Sequence, residues 1–256
     1  MVQSARMETN ALFSAGASPW AGARVAFLGD SITDPAHIGC RENYWGVLAR
    51  EIGIVPLVYG VNGAQWSGVP GQAGRLAAEQ PGGVDAVFVF AGTNDFNSDV
   101  PLGRWYEESD AEVLRSRGPT RVRRRRFDFD PATLRGRVNA AMKDLQERWP
   151  EAPKFLLTPI HRGFAQFAAD NVQPDESHSN ALGLFIDDYV QVVKEAGDVW
   201  AATVVDLFSD SGLFPLLPSH ARFFNPAGTD RLHPADPGHV RIARAIERRL
   251  GFPARP

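Results

Sequence analysis

Residues 24–33 read RVAFLGDSIT, an apolar run that passes directly into a short polar loop. A run of this length and composition is typical of a strand buried inside a parallel sheet. Pro56 lies in a later run and places it at the sheet edge, because proline cannot donate to a neighbouring strand. The later runs of the same character are residues 54–59, 84–90, 154–157 and 203–205.

Segments of helical length separate the predicted strands. They are residues 44–51, 72–80, 131–149, 180–196 and 237–250. We expect the third to begin with Asp130 as its N-cap and Pro131 at the first helical position. Strands that alternate with helices form right-handed βαβ units, so the sequence predicts a parallel sheet covered by helices on both faces.

Chemically useful residues follow the predicted strands. Ser31 follows the first strand, Gly63 the second and Asn94 the third. Sites in parallel sheets form beyond the carboxyl ends of the strands, so we expect these residues at one edge of the sheet. His233 precedes the last predicted helix, and its loop can fold back to the same edge.

This set contains the groups that serine-based acyl transfer requires. Ser31 supplies a hydroxyl nucleophile, His233 a base, and Asp230 a carboxylate that orients the imidazole. The backbone N–H groups of Ser31 and Gly63 and the side-chain amide of Asn94 are the candidate donors of an oxyanion hole. Taken singly, each residue also has a plainer explanation as a helix cap or a turn residue.

The ordered motifs resemble the sequence blocks of the SGNH hydrolases, also called the GDSL esterase/lipase family. The resemblance extends from about Arg24 to Leu250, and its second block is the loosest, since Gly68 competes with Gly63. The other blocks are Gly29-Asp30-Ser31, Gly92-Thr93-Asn94-Asp95 and Asp230-Arg231-Leu232-His233-Pro234.

The resemblance implies an α/β fold, a three-layer α/β/α sandwich with a flavodoxin-like five-stranded parallel sheet. We place this SGNH hydrolase domain at residues 21–256, after an N-terminal extension at residues 1–20. The resemblance also implies ester hydrolysis through an acyl-enzyme on Ser31, with no cofactor. Substrates of the family include O-acetylated carbohydrates, aryl esters, lysophospholipids and acyl-thioesters.

Among these substrates, the sequence favours short acyl esters, especially acetyl groups on sugars. Two long segments, residues 96–130 and 208–229, are predicted to be irregular and to form the walls of the substrate cleft. Their surroundings carry flat rings that suit sugar stacking (Trp66, Trp105 and Tyr106), and no extended apolar stretch lies near the motifs. The alternatives are a lysophospholipase or acyl-thioesterase, and a carbohydrate-binding protein without catalytic activity.

Four further residues are candidates for contact with the substrate: Asp30, Asp95, Trp66 and His161. Asp30 and Asp95 flank the predicted catalytic positions, although both have a simpler role in binding backbone groups of their loops. His161 follows the fourth predicted strand and therefore also faces the site edge. Its alternative role is that of an ordinary loop histidine.

Charge and composition argue against several other classes. The net charge is −3, so we expect no nucleic-acid partner. The arginine run at residues 121–126 is explained by a solvated face or by contact with acidic residues in a homo-oligomer. No apolar stretch approaches the roughly 20 residues of a membrane span. The N-terminus lacks a signal-peptide pattern, which favours a cytoplasmic protein, with a secreted protein whose leader is already removed as the alternative. Cys40 is the only cysteine and no His-Glu-x-x-His motif is present, so no metal site is expected.

Overall fold

The computed structural model describes residues 18–36, 38–226 and 229–251. Its strands are β1 (Arg24–Gly29), β2 (Val55–Val58), β3 (Ala86–Phe90), β4 (Tyr106–Arg115), β5 (Gly118–Phe127), β6 (Lys154–Leu157), β7 (Ala165–Ala168), β8 (Asn171–Gln173) and β9 (Thr203–Val205). Its helices are α1 (Tyr44–Ile52), α2 (Val69–Glu79), α3 (Thr93–Asn97), α4 (Leu134–Arg148), α5 (Ile186–Trp200), α6 (Leu207–Asp210) and α7 (Asp236–Arg249). Short 3₁₀ helices lie at Trp66–Gly68 and Pro218–Phe223.

Five parallel strands form the central sheet in the order β2-β1-β3-β6-β9. This is the flavodoxin-like order that the sequence predicted. All five predicted strands are present, and β2, which contains Pro56, lies at the edge of the sheet. The strand predictions and the fold class are therefore confirmed.

Two apolar cores cover the two faces of the sheet. Val25 and Phe27 of β1 pack toward α1 and α7, whereas Ala26 and Leu28 pack toward α2, α4 and α5. Successive side chains of a strand point to opposite faces, so a continuous apolar run is required when both faces are covered. The result is a three-layer α/β/α sandwich, and it explains why the predicted strands are apolar throughout.

Several helices begin at other residues than predicted, and one of them is α2, which begins at Val69 rather than at residue 72. The helix expected from residue 131 begins at Leu134, and Thr133 is its N-cap, with Oγ1 accepting from the Gly136 N–H at 3.3 Å. Asp130 instead closes a preceding turn by accepting from the Ala132 N–H at 2.9 Å. The helix expected at residues 180–196 is displaced to Ile186–Trp200, because the Asn180 side chain holds a turn over residues 180–184.

The segment 96–130 is not the irregular loop that the sequence predicted. It contains β4 and β5, which pair antiparallel over ten residues each. We call this element the long hairpin. Ion pairs cross it, from Arg123 and Arg125 to Glu108 and from Arg121 to Asp110. The arginine run thus lies on an exposed, ion-paired strand, and its role in a subunit contact stays a prediction.

The predicted extension at residues 1–20 lies outside the described residues up to residue 17. Trp20 packs edge-on against Phe155, with 6.0 Å between ring centroids, so the described chain is already part of the fold there. No helix of the described residues has the length and apolar character needed to cross a bilayer.

Candidate active site

Ser31, His233 and Asp230 form a continuous hydrogen-bonded chain. The Ser31 Oγ lies 2.8 Å from His233 Nε2, and His233 Nδ1 lies 2.8 Å from Asp230 Oδ2. All three residues are buried, with exposures of 8%, 5% and 4%. A serine hydroxyl in this position can pass its proton to the imidazole, and the carboxylate stabilises the imidazolium that forms.

The position of Ser31 depends on Gly29 and a buried glutamine. Gly29 has φ +146°, and a Cβ at this position would lie 2.1 Å from the Phe90 carbonyl oxygen, so only glycine fits. The Gln72 side chain accepts from the Gly29 N–H at 2.7 Å and donates to the Gly29 carbonyl at 2.8 Å. Gln72 therefore fixes the end of β1 directly before the nucleophilic position.

Asp230 is held from several directions. Its Oδ1 accepts from the backbone N–H groups of Leu232 and His233, each at 3.0 Å, and its Oδ2 accepts from Asn225 Nδ2 at 2.9 Å. Burial alone would raise the pKa of Asp230, but the hydrogen bonds from His233 and Asn225 outweigh it and lower the pKa. The carboxylate is therefore ionised and oriented before any substrate arrives.

Three possible hydrogen-bond donors face the same cavity as Ser31 Oγ. Ser31, Gly63 and Asn94 all line it. Among the described residues, the backbone N–H groups of Ser31 and Gly63 have no acceptor. Asn94 Nδ2 donates to the Ala64 carbonyl at 3.0 Å, which orients the amide and leaves its second hydrogen unused. Gly68 does not line this cavity, and its N–H donates to the Gln65 carbonyl at 2.9 Å.

Asp95 and Trp66 hold the site together from beneath. Asp95 is fully buried; its Oδ2 accepts from the Trp66 N–H at 3.0 Å, and its Oδ1 pairs with Arg137 at 3.0 Å. These bonds join the loop of Gly63 to the loop of Asn94. Trp66 is also fully buried, so the expectation that its ring stacks on a substrate is wrong.

Asp30 likewise supports the loop. Its Oδ1 accepts from the Ile32 N–H at 3.0 Å, and its backbone carbonyl accepts from Thr33 and Asp34. Burial raises the pKa of Asp30 to about 7, while the hydrogen bond from Ile32 and the charge of His233 act in the opposite direction. Asp30 does not line the cavity, so its contact with substrate is not supported.

His161 also lies away from the cavity. Its Nδ1 is 2.8 Å from Glu176 Oε1, and its ring stacks on Phe208 with 3.7 Å between centroids. Glu176 in turn accepts from the Arg162 N–H at 2.9 Å. His161 therefore stabilises the loop after β6, as the simpler explanation predicted.

The long hairpin does not form a wall of this cavity. From residues 96–130, only Asn97 and Ser98 line it. Trp105 donates through Nε1 to Glu195 of α5 at 2.8 Å, whereas Tyr106 packs on Phe127 of the same hairpin with 5.2 Å between ring centroids, and neither residue lines the cavity. The prediction that these rings and the neighbouring charges surround the substrate is therefore wrong.

A short hairpin, β7–β8, forms that wall instead. The cavity has a volume of about 520 Å³ and is lined mainly by amide, hydroxyl and carboxylate side chains. Its contributions from the short hairpin are Phe167, Asp170, Asn171, Val172 and Gln173. This element was not predicted, although Asp170 and Asn171, residue types that favour turns, mark the connection between its strands.

The part of the chain that the structure describes contains no set of side chains arranged to bind a metal ion. No group of three or more histidine, cysteine, aspartate or glutamate residues there is placed to hold an ion.

Comparisons with known proteins agree with this architecture. The model of the GDSL-like lipase/acylhydrolase family matches residues 27–241. No curated protein shows significant sequence similarity to the chain. Among solved structures, a protein from Lactobacillus plantarum is 26% identical, with a TM-score of 0.69 over 90% of this chain and 97% of that one.

Two more distant structures share the fold. One is described as a possible lipase from Chitinophaga pinensis, with 21% identity and a TM-score of 0.63, covering 90% of this chain and 100% of that one. The other is a variant of an acetyl xylan esterase from Geobacillus stearothermophilus, with 19% identity and a TM-score of 0.56 over 91% of this chain and 96% of that one.

Proposed function

Because the chain belongs to the GDSL-like lipase/acylhydrolase family, we propose that it is a serine esterase that cleaves short acyl esters, chiefly acetyl esters of carbohydrates. The observation that carries this proposal is the chain of two 2.8 Å hydrogen bonds from Ser31 through His233 to Asp230, with Ser31 at the wall of a polar cavity.

The reaction begins with Ser31 Oγ attacking the ester carbonyl while His233 Nε2 takes the hydroxyl proton. The tetrahedral intermediate collapses, and the same proton passes from Nε2 to the leaving alcohol. A water molecule then gives its proton to Nε2 and attacks the acyl group on Ser31. Collapse of the second intermediate releases the carboxylic acid and returns the proton to Ser31. Asp230 holds the imidazole orientation throughout.

The oxyanion of both intermediates is assigned to the Ser31 and Gly63 N–H groups and the Asn94 amide. Two features support this assignment: the two backbone donors have no acceptor in the described structure, and the Asn94 amide is fixed by Ala64. Donors that are oriented in advance stabilise developing charge without reorganisation in the transition state.

The size and polarity of the cavity support a short acyl group and a hydroxylated alcohol. A volume of about 520 Å³ lined mainly by polar groups offers little apolar surface to a long acyl tail. Each methylene of an acyl chain would contribute about 0.8 kcal/mol to binding only where apolar protein surface buries it. The acetyl xylan esterase that shares this fold is a precedent for such a substrate.

Hydrolysis by the Ser31→Ala variant tests the proposal. We expect the variant to fold and to lose about 10⁴-fold or more in kcat on p-nitrophenyl acetate, because the attacking group is gone. Ser116→Ala is the matched control, since Ser116 lies exposed in the turn of the long hairpin. Retained activity in folded Ser31→Ala would contradict the mechanism. A wild-type rate that climbs steadily from acetyl to palmitoyl esters would instead favour a lipase or thioesterase.

A further inference from the structure

We propose that Asn97, Gln173 and Phe167 form the subsite for the alcohol part of the ester, and that Arg162 is the positioning residue that makes this subsite a hydrogen-bond donor. The inference rests on the proposed esterase function and specifies its substrate as an ester of a polyhydroxylated ring. The subsite is organised by one buried guanidinium and the two amides bound to it.

Arg162 lies behind the cavity wall rather than in it. It is fully buried, and its guanidinium lies over the Phe96 ring at 5.0 Å. Burial lowers the pKa of Arg162 to about 10, while the charge of Glu176 acts in the opposite direction, so the side chain remains charged at neutral pH. One nitrogen donates to Asn97 Oδ1, and another donates to Gln173 Oε1 at 3.1 Å.

The guanidinium decides which way both amides point. Arginine has N–H donors and no acceptor, so each amide must turn its oxygen toward Arg162 and its nitrogen away. Asn97 Nδ2 donates one hydrogen to Gln173 Oε1 at 2.8 Å, which ties the two side chains to each other. The second hydrogen of Asn97 and the Nε2 group of Gln173, whose closest partner is Asn171 at 3.5 Å, are left for the cavity that both residues line.

Phe167 identifies which part of the ester lies here. Its ring is 43% exposed, lines the cavity and packs edge-on to the His233 ring with 5.4 Å between centroids. His233 delivers its proton to the leaving alcohol, so the alcohol part lies on the His233 side of the scissile bond. The flat ring of Phe167 is therefore next to the alcohol. Gln173 belongs to the same short hairpin and is hydrogen-bonded to Asn97, so we assign both amides to the same part of the ester.

The chemistry of this wall favours a hydroxylated ring over a hydrocarbon ring. Hydroxyl and ring oxygens accept from the Asn97 and Gln173 N–H groups, and Asp170 adds an acceptor for hydroxyl hydrogens. A hydrocarbon ring would remove these amides from water without replacing their hydrogen bonds, and enzymes discriminate strongly against such substrates.

The test compares three acetates: a monoacetylated methyl xyloside, cyclohexyl acetate and ethyl acetate. Gln173→Glu keeps an oxygen for Arg162 and for Asn97 but removes the donor. We expect the preference for the xyloside over cyclohexyl acetate, measured as a ratio of kcat/KM values, to fall about 10-fold, and ethyl acetate is the reference that corrects for any general loss of activity. The matched control is Gln166→Glu, which makes the same charge change on the same hairpin outside the cavity.

Arg162→Lys is the second variant. It keeps the charge but cannot hold both amide oxygens in one fork, so we expect the same loss of preference relative to ethyl acetate. If Arg162→Lys does not fold, Gln173→Glu still decides the question. An unchanged preference in Gln173→Glu, or a wild-type enzyme that cleaves cyclohexyl acetate as well as the xyloside, would overturn the subsite and leave the esterase intact. A wild type that cleaves none of the three acetates would overturn the proposed function itself.

Discussion

The two hairpins of this protein contribute to the site cavity in the opposite way from what their sequences suggest. The long hairpin has ten residues in each strand and the whole of the chain's arginine run, yet none of its residues lines the site cavity. The short hairpin has strands of four and three residues and an inconspicuous composition, yet it provides five of the lining residues. The place where an element joins the sheet therefore matters more than its length or charge.

Their anchors explain the difference. The base of the long hairpin is fixed to the helical layer: Asn139 of α4 donates to the Trp105 and Asp128 carbonyls, and Phe127 stacks on Trp200 at 4.4 Å. The short hairpin is joined to the His233 loop instead. The Gly163 N–H donates to the Arg231 carbonyl, and the Arg231 N–H donates to the Phe164 carbonyl, each at 3.0 Å. Its base is therefore fixed to the loop that carries His233.

After loss of the nucleophile itself, Asn94→Ala gives the largest expected effect, because it removes an oxyanion donor from the edge that the short hairpin faces. We expect kcat on p-nitrophenyl acetate to fall about 10²–10³-fold with a smaller change in KM, since the amide is aimed at charge that appears only in the transition state. Steady-state kinetics measure both constants. A raised KM with kcat unchanged would make Asn94 a residue that binds the ground state.

Asp30→Asn tests the buried carboxyl beneath the site. Between the ordinary pKa of 3.8 and the raised value of about 7, the unfolded chain has lost this proton and the folded protein retains it, so stability falls as pH rises through that window. The stability of the variant does not fall in this way, because an amide does not ionise. Its side-chain oxygen can still accept the hydrogen bond from the Ile32 N–H. We expect its stability relative to wild type to rise by on the order of a few kcal/mol between about pH 4 and pH 7. Urea unfolding measures this difference, and a pH-independent difference would contradict the raised pKa.

A pair of glycine substitutions compares the two hairpins directly. A Cβ at Gly163 would lie 2.6 Å from Arg231 Cβ, whereas one at Gly118 would meet nothing within 4 Å, although its φ of +102° is strained for alanine. We expect Gly163→Ala to cost about 1–3 kcal/mol and to lower kcat/KM, because the short hairpin must shift against the His233 loop. Gly118→Ala can lower the stability of the fold but should leave kcat/KM unchanged. Equal losses of kcat/KM in the two variants would contradict the different roles of the two hairpins.

Shortening the long hairpin has the smallest expected effect. Replacing residues 107–126 by Asn-Gly keeps the paired Tyr106 and Phe127 at its base. We expect kcat/KM on acetylated sugars to stay within about twofold of wild type, a change too small to indicate a lost substrate contact. A selective loss on sugar esters would restore the cleft-wall role predicted from the sequence. Sedimentation of the same variant tests the predicted homo-oligomer contact.

Local patterns in the sequence predicted the strands well, because burial on both faces of a sheet demands a continuous apolar run. Lys154–Leu157 and Thr203–Val205 were predicted with the bounds observed. The long hairpin was missed because its strands are stabilised by cross-strand ion pairs rather than by an apolar face, so no alternating hydrophobic signal marks it.

Residues that act through distant partners could not be predicted in this way. Gln72 binds Gly29 across 43 positions, and Arg162 binds Asn97 across 65 positions. Trp66 was predicted to contact the substrate because aromatic side chains suit sugars. The hydrogen bond from its backbone N–H to Asp95 instead holds it beneath the site. The motifs predicted which residues meet, whereas the supporting contacts depend on the packed fold.

Covalent labelling tests the central claim most directly. A fluorophosphonate reacts with a serine only when a neighbouring base activates its hydroxyl. We predict one adduct per chain by intact-mass spectrometry, located on the peptide that contains Ser31, absent in Ser31→Ala and formed far more slowly in His233→Ala. An adduct on another residue, or labelling of Ser31 at the same rate without His233, would contradict the account.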